Sequence, residues 1–247
     1  MFDLNLYEWG ILSLAAFLIG VTKTGIPGVG ILAVLLAANT LPAKESTGFI
    51  LPLLIMGDIF AVVYYKRHAV LSHIIKLIPW TIGGVFIGYY FMGKIDDNNL
   101  KIVIGIIVLA MMGINYWLNS KNGNDLNIPK KWWFAGIFGL LVGIATMMAN
   151  AAGPVFIIYL LSMRLNKYEF MGSGAWFFLF LNLFKVPFSI NLGLIKWEFL
   201  EVNLMLLPMI FLGAYAGLHI LKKIPQKIFE KTVEFFNFVA AIKLIFW

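Results

Sequence analysis

The feature that most constrains this chain is Gly20-Val21-Thr22-Lys23-Thr24-Gly25-Ile26-Pro27-Gly28-Val29-Gly30, a polar break with one cation set between two apolar stretches. Residues 11–19 before it and 31–38 after it are apolar, and each flank falls well short of the ~20 residues that a membrane-spanning helix needs. Glycine and proline leave backbone N–H and C=O groups without helical partners. Lipid cannot satisfy those groups, so such backbone persists at membrane depth only where it is buried in protein or lines a polar cavity. The break therefore predicts a cavity. Lys23 inside it is costly to bury, which makes its default role functional and an anion its natural guest.

Lipid is the right surrounding to assume, because 61% hydrophobic and 13% charged residues, with a mean hydropathy of +0.89, cannot be folded behind a water-facing surface. The chain reads as an all-α polytopic membrane protein whose constant partner is the bilayer. It has no cysteine, which excludes disulfides and thiolate metal sites, and His68, His73 and His219 have no metal-ligand spacing. No metal and no cofactor are expected. The net charge of +7 resides mostly in short loops between apolar segments, where Lys and Arg orient the protein rather than bind nucleic acid. A homo-oligomer is compatible with this composition but not specified by it. The start, Met1-Phe2-Asp3-Leu4-Asn5, lacks the basic region of a cleavable signal peptide.

Apolar segments fall at residues 7–21, 28–40, 46–65, 77–93, 100–118, 132–147, 154–163, 170–191, 199–221 and 232–246. The polar stretch 119–131, with Asn122-Gly123-Asn124-Asp125, divides them. On either side the spacing repeats. Pro79-x4-Gly84-x3-Gly88 recurs as Pro208-x4-Gly213-x3-Gly217 at an offset of 129, and an offset of 123 pairs Gly20 with Gly143 and Gly30 with Gly153. The second half thus has its own break, residues 145–154. One integral membrane domain is expected, made of a first repeat (1–120), a cytoplasmic linker loop (121–131) and a second repeat (132–247).

Loop charges decide how each break meets the membrane. Setting Lys23 and Lys185 aside, the other Lys and Arg split 12 to 5 between the two faces if each broken element enters and returns to its own side, and 9 to 8 if it crosses. The positive-inside rule selects the returning hairpin. Each repeat is then a broken, re-entrant helical hairpin plus three transmembrane helices, and the odd number of crossings inverts the second repeat relative to the first. Inverted repeats with broken helices meeting near the midplane are a common plan among secondary transporters.

That plan nominates a substrate site. Thr22, Lys23, Thr24, Gly25 and Gly28 come from the first break, where hydroxyls, exposed backbone N–H groups and a helix N-terminus surround the cation. Thr146, Asn150 and Gly153 come from the second. Lys185 lies inside an apolar run as a second cation. Asp58, also in an apolar run, either neutralises Lys23 or Lys185 by pairing or carries a proton coupled to anion movement. Catalytic residues are not expected.

The glycine-rich break after the first helix, the matched Pro79/Gly84 and Pro208/Gly213 spacings and the duplicated arrangement resemble the TauE/SafE sulfite-exporter family of four-plus-four transmembrane proteins. The resemblance spans essentially the whole chain. It implies a secondary transporter that moves a small sulfur-containing anion, sulfite or an organosulfonate such as sulfoacetate, across the bacterial cytoplasmic membrane. A departure is Ala149-Asn150-Ala151-Ala152 in the second break in place of repeated glycines. Two other readings use the same sequence: a passive anion channel through the same cavity, and an intramembrane serine hydrolase using Ser173 and His219. The hydrolase motif is incomplete, since Met171 stands where a second glycine would precede Gly172-Ser173-Gly174.

The charge split places both termini outside and residues 119–131 inside. In intact cells an impermeant thiol reagent should label Asn5→Cys and spare Asn122→Cys. Labelling of Asn122→Cys alone would overturn this topology.

Overall fold

The computed structural model describes residues 4–96, 99, 132–233, 235 and 236. The expected segment 100–118, the linker 121–131 and most of segment 232–246 lie outside the described residues. Within them the chain is all helix and contains no strand. The principal helices run in order: α1 (Leu6–Thr24), α2 (Gly30–Thr40), α3 (Ala43–Tyr65), α4 (Leu71–Met92), α5 (Trp132–Ala149), α6 (Gly153–Ser162), α7 (Lys167–Asn191) and α8 (Trp197–Lys223), and residues 226–233, 235 and 236 are helical beyond them. By length and composition α1, α3, α4, α7 and α8 can each cross a membrane.

The breaks are shorter than the sequence pattern suggests. Helix α1 begins at a reciprocal cap in which the Asn5 side chain accepts the Glu8 N–H at 2.9 Å and the Glu8 carboxylate accepts the Asn5 N–H at 2.8 Å. It then stays helical through Gly20 and Lys23, so the first break is residues 25–29 and the second is 150–152. With 19 residues, α1 is about 28 Å long at 1.5 Å per residue. The expectation that neither flank of the first break could cross is therefore corrected for α1. The reason is local: Gly20 costs helix propensity, but α8 packs so closely over it that a helical, side-chain-free residue is what the contact needs.

Contacts along the helices fix their directions. Ile19 and Lys23 lie against Gly57, and the Tyr65 hydroxyl donates to the Thr24 carbonyl at 2.6 Å, so α1 and α3 run the same way. Helix α2 must then carry the chain back toward the side where α1 began. In α3 and α7 the order is opposed: Gly48 abuts Leu194, Asp58 meets Asn182, and Gly172 abuts Tyr65 and Ala69. Helices α4 and α5 run together, Gly84 against Leu140 and Gly143, Gly88 against Ile144 and Met147. Rings of Phe134 and Phe138 approach Tyr159 to 6.0 and 6.1 Å, which folds α6 back on α5.

The closest crossings are exchanged between halves. A side chain added at Gly20 would run into the Ile210 carbonyl and the Ala214 N–H of α8, and one added at Gly143 into the Thr81 carbonyl and Gly84 of α4. Gly20 and Gly143 are offset by 123, and Gly84 and Gly213 by 129, so each crossing falls at the counterpart positions of the other. Apolar clusters fill both sides, one around Leu12, Ile19, Phe49 and Phe199 and the other around Phe138, Val155, Phe156 and Phe177. Large apolar side chains such as Ile75, Phe86, Tyr90, Leu204 and Tyr215 remain exposed, as lipid-facing surface requires.

Because backbone occupies the space a methyl would take, Gly20→Ala and Gly143→Ala should each destabilise the protein by about 1–3 kcal/mol, the usual cost of overpacking. Gly10→Ala, with open space around it, should hold or slightly raise the thermal midpoint, since alanine favours the helix. Equal midpoints for all three variants would contradict these crossings.

Candidate functional site

The two breaks face one another across a cavity of about 100 Å³, several times the ~10–15 Å³ that a single water requires. Its wall combines the end of α1, the start of α2, the middle of α3 and α7, and the junction of α5 with α6. Thr22, Lys23 and Gly28 contribute from the first break and Thr146, Asn150 and Gly153 from the second. Asp58, Phe178 and Asn182 close it from α3 and α7.

Each turn is made by a residue suited to it. Gly28 has φ 97°, and Asn150 has φ 53°; glycine enters this left-handed region freely, and asparagine is among the few other residues that tolerate it. Asn150 thus supplies the conformation that a glycine supplies in the first break, which accounts for the missing glycines there. Its side chain is held at both ends. The amide nitrogen donates to the Thr47 carbonyl at 2.8 Å and the amide oxygen accepts from Lys185 Nζ at 2.6 Å. Neither helix that leaves a break has a side-chain cap, since Val29 and Ala152 occupy the N-cap positions of α2 and α6. Both helix starts contribute to the cavity wall through Gly28, Gly30, Gly153 and Pro154. Partial positive charge from two helices therefore falls on the same small space.

The charged groups are ordered. Lys23 Nζ lies 2.6 Å from Asp58 Oδ1, with the lysine side chain 11% exposed and the carboxylate fully buried. The contact is an ion pair, and apart from this ammonium Oδ1 has no hydrogen-bond donor. Asn182 donates its amide N–H to Oδ2 at 2.6 Å. On its other side the Lys23 ammonium stands 4.5 Å from the centre of the Phe178 ring, a cation–π contact. Lys185 is buried and donates to the Thr146 carbonyl at 3.0 Å, the Thr146 hydroxyl at 2.9 Å and Asn150. Those three acceptors use all three ammonium protons.

The structure thus brings Thr22, Lys23, Gly28, Asp58, Thr146, Asn150 and Gly153 to one cavity, and it places three other nominated residues elsewhere. The Thr24 hydroxyl donates to the Ala214 carbonyl at 2.8 Å and is interhelical glue. Gly25 packs on Gly217. Lys185 stands behind the wall rather than in it, bracing the second break. Their side chains, or the lack of one, are spent on packing. Asn182 and Phe178 were not nominated, although Asn182 lies three residues before Lys185, on one helix face with it. That spacing was a usable signal. Ser173 and His219 have separate partners: the Ser173 hydroxyl accepts the Val70 N–H at 2.9 Å and is buried, while His219 Nδ1 lies 2.9 Å from the Tyr215 carbonyl. No hydrogen bond joins the two.

Residues 12–244 match the family described as Sulfite exporter TauE/SafE. No curated protein and no solved structure matches the chain. A match over nearly the whole length, on a helical chain whose two breaks meet at a cation-bearing cavity, places this protein in the TauE/SafE sulfite exporter family of membrane transporters.

Proposed function

We propose that the protein is a secondary transporter that carries a small sulfur-containing anion, sulfite or a compact organosulfonate such as sulfoacetate, through the cavity between the two breaks. The observation that carries this reading is the meeting of one ammonium, Lys23, with two helix N-termini that no side chain caps. Backbone N–H groups and a helix dipole at close range are what a tetrahedral or pyramidal oxyanion binds. Ile31, Val34, Phe156 and Ile157 form an apolar part of the wall beside these polar groups, which shields a bound anion from water.

In this reading Lys23 makes the charge contact, Thr22, Thr146 and the backbone at Gly28 and Gly153 add hydrogen bonds, and Asn150 fixes the second turn. Thr24, Gly25 and Lys185 act one layer out by holding these groups in place. The opposed directions of α3 and α7, and the exchanged crossings at Gly20 and Gly143, support two inverted repeats, 1–120 and 132–247, that rock about the cavity to open it alternately to each side. The loop charges support a cytoplasmic-membrane orientation with both termini outside. Family membership supports export-type anion chemistry, and the lack of a Ser173–His219 contact supports transport without chemical change.

Purified protein should gain thermal stability from sulfite, thiosulfate or sulfoacetate, and reconstituted vesicles should show saturable flux with counterflow. Flux that rises linearly with concentration and shows no counterflow would identify a channel instead. Lys23→Ala alone leaves the Asp58 carboxylate buried without its cation, which costs about 3–5 kcal/mol of stability. The double variant Lys23→Ala/Asp58→Asn should recover stability yet bind the anion about ten- to a hundredfold more weakly, the value of a hydrogen bond to a charged group. Lys23→Arg should restore binding only in part, because a planar, forked guanidinium does not reproduce the compact point charge of an ammonium. If the double variant folds and binds as tightly as the parent, the anion site lies elsewhere.

A further inference from the structure

We propose that Asp58 carries a proton in step with the anion: as the anion takes the Lys23 ammonium away, Oδ1 of Asp58 is protonated, and as the anion leaves, that proton is returned to water. The inference rests on the transport reading above and specifies its coupling.

The geometry of the carboxylate is the starting point. Asp58 is fully buried at the middle of α3, and its two oxygens are treated differently. Oδ2 accepts the Asn182 amide, whereas Oδ1 has the Lys23 ammonium beside it and no other donor. Asn182 can hold Oδ2 whether or not Oδ1 carries a hydrogen. An anion in the cavity competes for the same ammonium, since Lys23 is the cation in the cavity wall and Lys185 is not. Once Lys23 turns to the anion, Oδ1 is a bare buried carboxylate oxygen next to a second negative charge, and a buried charge without a partner neutralises.

Other groups around Asp58 do not supply that neutralisation. The charges that act on it are those of Lys23 on α1 and Lys185 on α7. Lys185 has its three protons committed to Thr146 and Asn150, and turning it toward Asp58 would dismantle the second break. Helices α2 and α5 contain no ionisable residue. Tyr159 on α6 donates its hydroxyl to the His73 carbonyl, and Tyr65 on α3 donates to the Thr24 carbonyl. The ionisable residues of α8, Glu198, Glu201, Tyr215, His219, Lys222 and Lys223, sit toward its two ends, and Glu45 at the start of α3 pairs with Lys196. What remains is a proton from the water that accompanies the anion into the cavity.

The step balances simply. An O–H bond forms at Oδ1 with a proton from the loading side, Lys23 remains an ammonium throughout, and the O–H bond breaks on the release side when Lys23 returns to Asp58. One proton moves in the same direction as one anion, so transport of a monoanion moves no net charge.

Methanesulfonate is a suitable probe because, as the anion of a strong acid, it brings no proton of its own near neutral pH. In vesicles with a luminal pH dye, an inward proton gradient should raise its uptake several-fold, the lumen should acidify with it, and a potassium diffusion potential should have no effect. Detergent-solubilised protein in weak buffer should take up close to one proton per methanesulfonate bound, and Asp58→Asn should abolish that uptake. The proton count on the parent protein decides the matter even if the variant fails to fold. Uptake that is driven by voltage, indifferent to the proton gradient and unaccompanied by proton binding would overturn the coupling and leave the transport reading standing. Absence of saturable binding and flux for methanesulfonate, sulfite and thiosulfate alike would overturn both.

Discussion

Taking an ammonium and a carboxylate out of water costs several kcal/mol for each ion, and their attraction repays it only when the geometry is good and the remaining polar atoms are satisfied. The pair of Lys23 and Asp58 imposes that condition on the whole core. Its partners come from three helices: Lys23 from the last turn of α1, Asp58 from the middle of α3, Asn182 from α7. A shift of any one by a helical turn would leave a buried charge exposed to apolar surroundings. The pair therefore fixes the depth of α1 against α3 and the register of α3 against α7. Since Lys23 Nζ also lies on the Phe178 ring, it fixes the rotation of α7 as well.

Such register could not be held by apolar contacts alone, because in lipid one apolar helix face resembles another. The glycines supply the complementary condition. At Gly20 with Ile210 and Ala214, and at Gly143 with Thr81 and Gly84, backbone touches backbone, so these helices dock at one position and resist sliding. The crossings join α1 to α8 and α5 to α4, each a contact between the two halves of the chain.

A balance between the two cations follows from the same chemistry. Lys185 has three neutral acceptors and braces a turn, whereas Lys23 has one charged partner and one aromatic face, both of which an incoming anion can replace. Similar residues at similar depth thus differ in availability. The difference originates in Thr146 and Asn150, whose oxygens claim the protons of Lys185, and in the lack of a comparable acceptor set around Lys23.

Much of this was legible in the chain. Composition required lipid, and Lys23 within a polar break pointed to a cavity, because intramembrane charge and unpaired backbone are too costly to lie anywhere else. Those conclusions need only local sequence and the properties of the solvent. Which polar groups meet is a different matter. That Lys23 rather than Lys185 pairs with Asp58, that Asn182 holds the other carboxylate oxygen, that Thr24 and Gly25 serve α8 instead of the cavity, and that α1 remains helical to Thr24 all depend on contacts between residues far apart in the chain. A lysine reads the same in sequence whether its protons are spent or free; only the acceptors that tertiary packing brings within 3 Å distinguish the two.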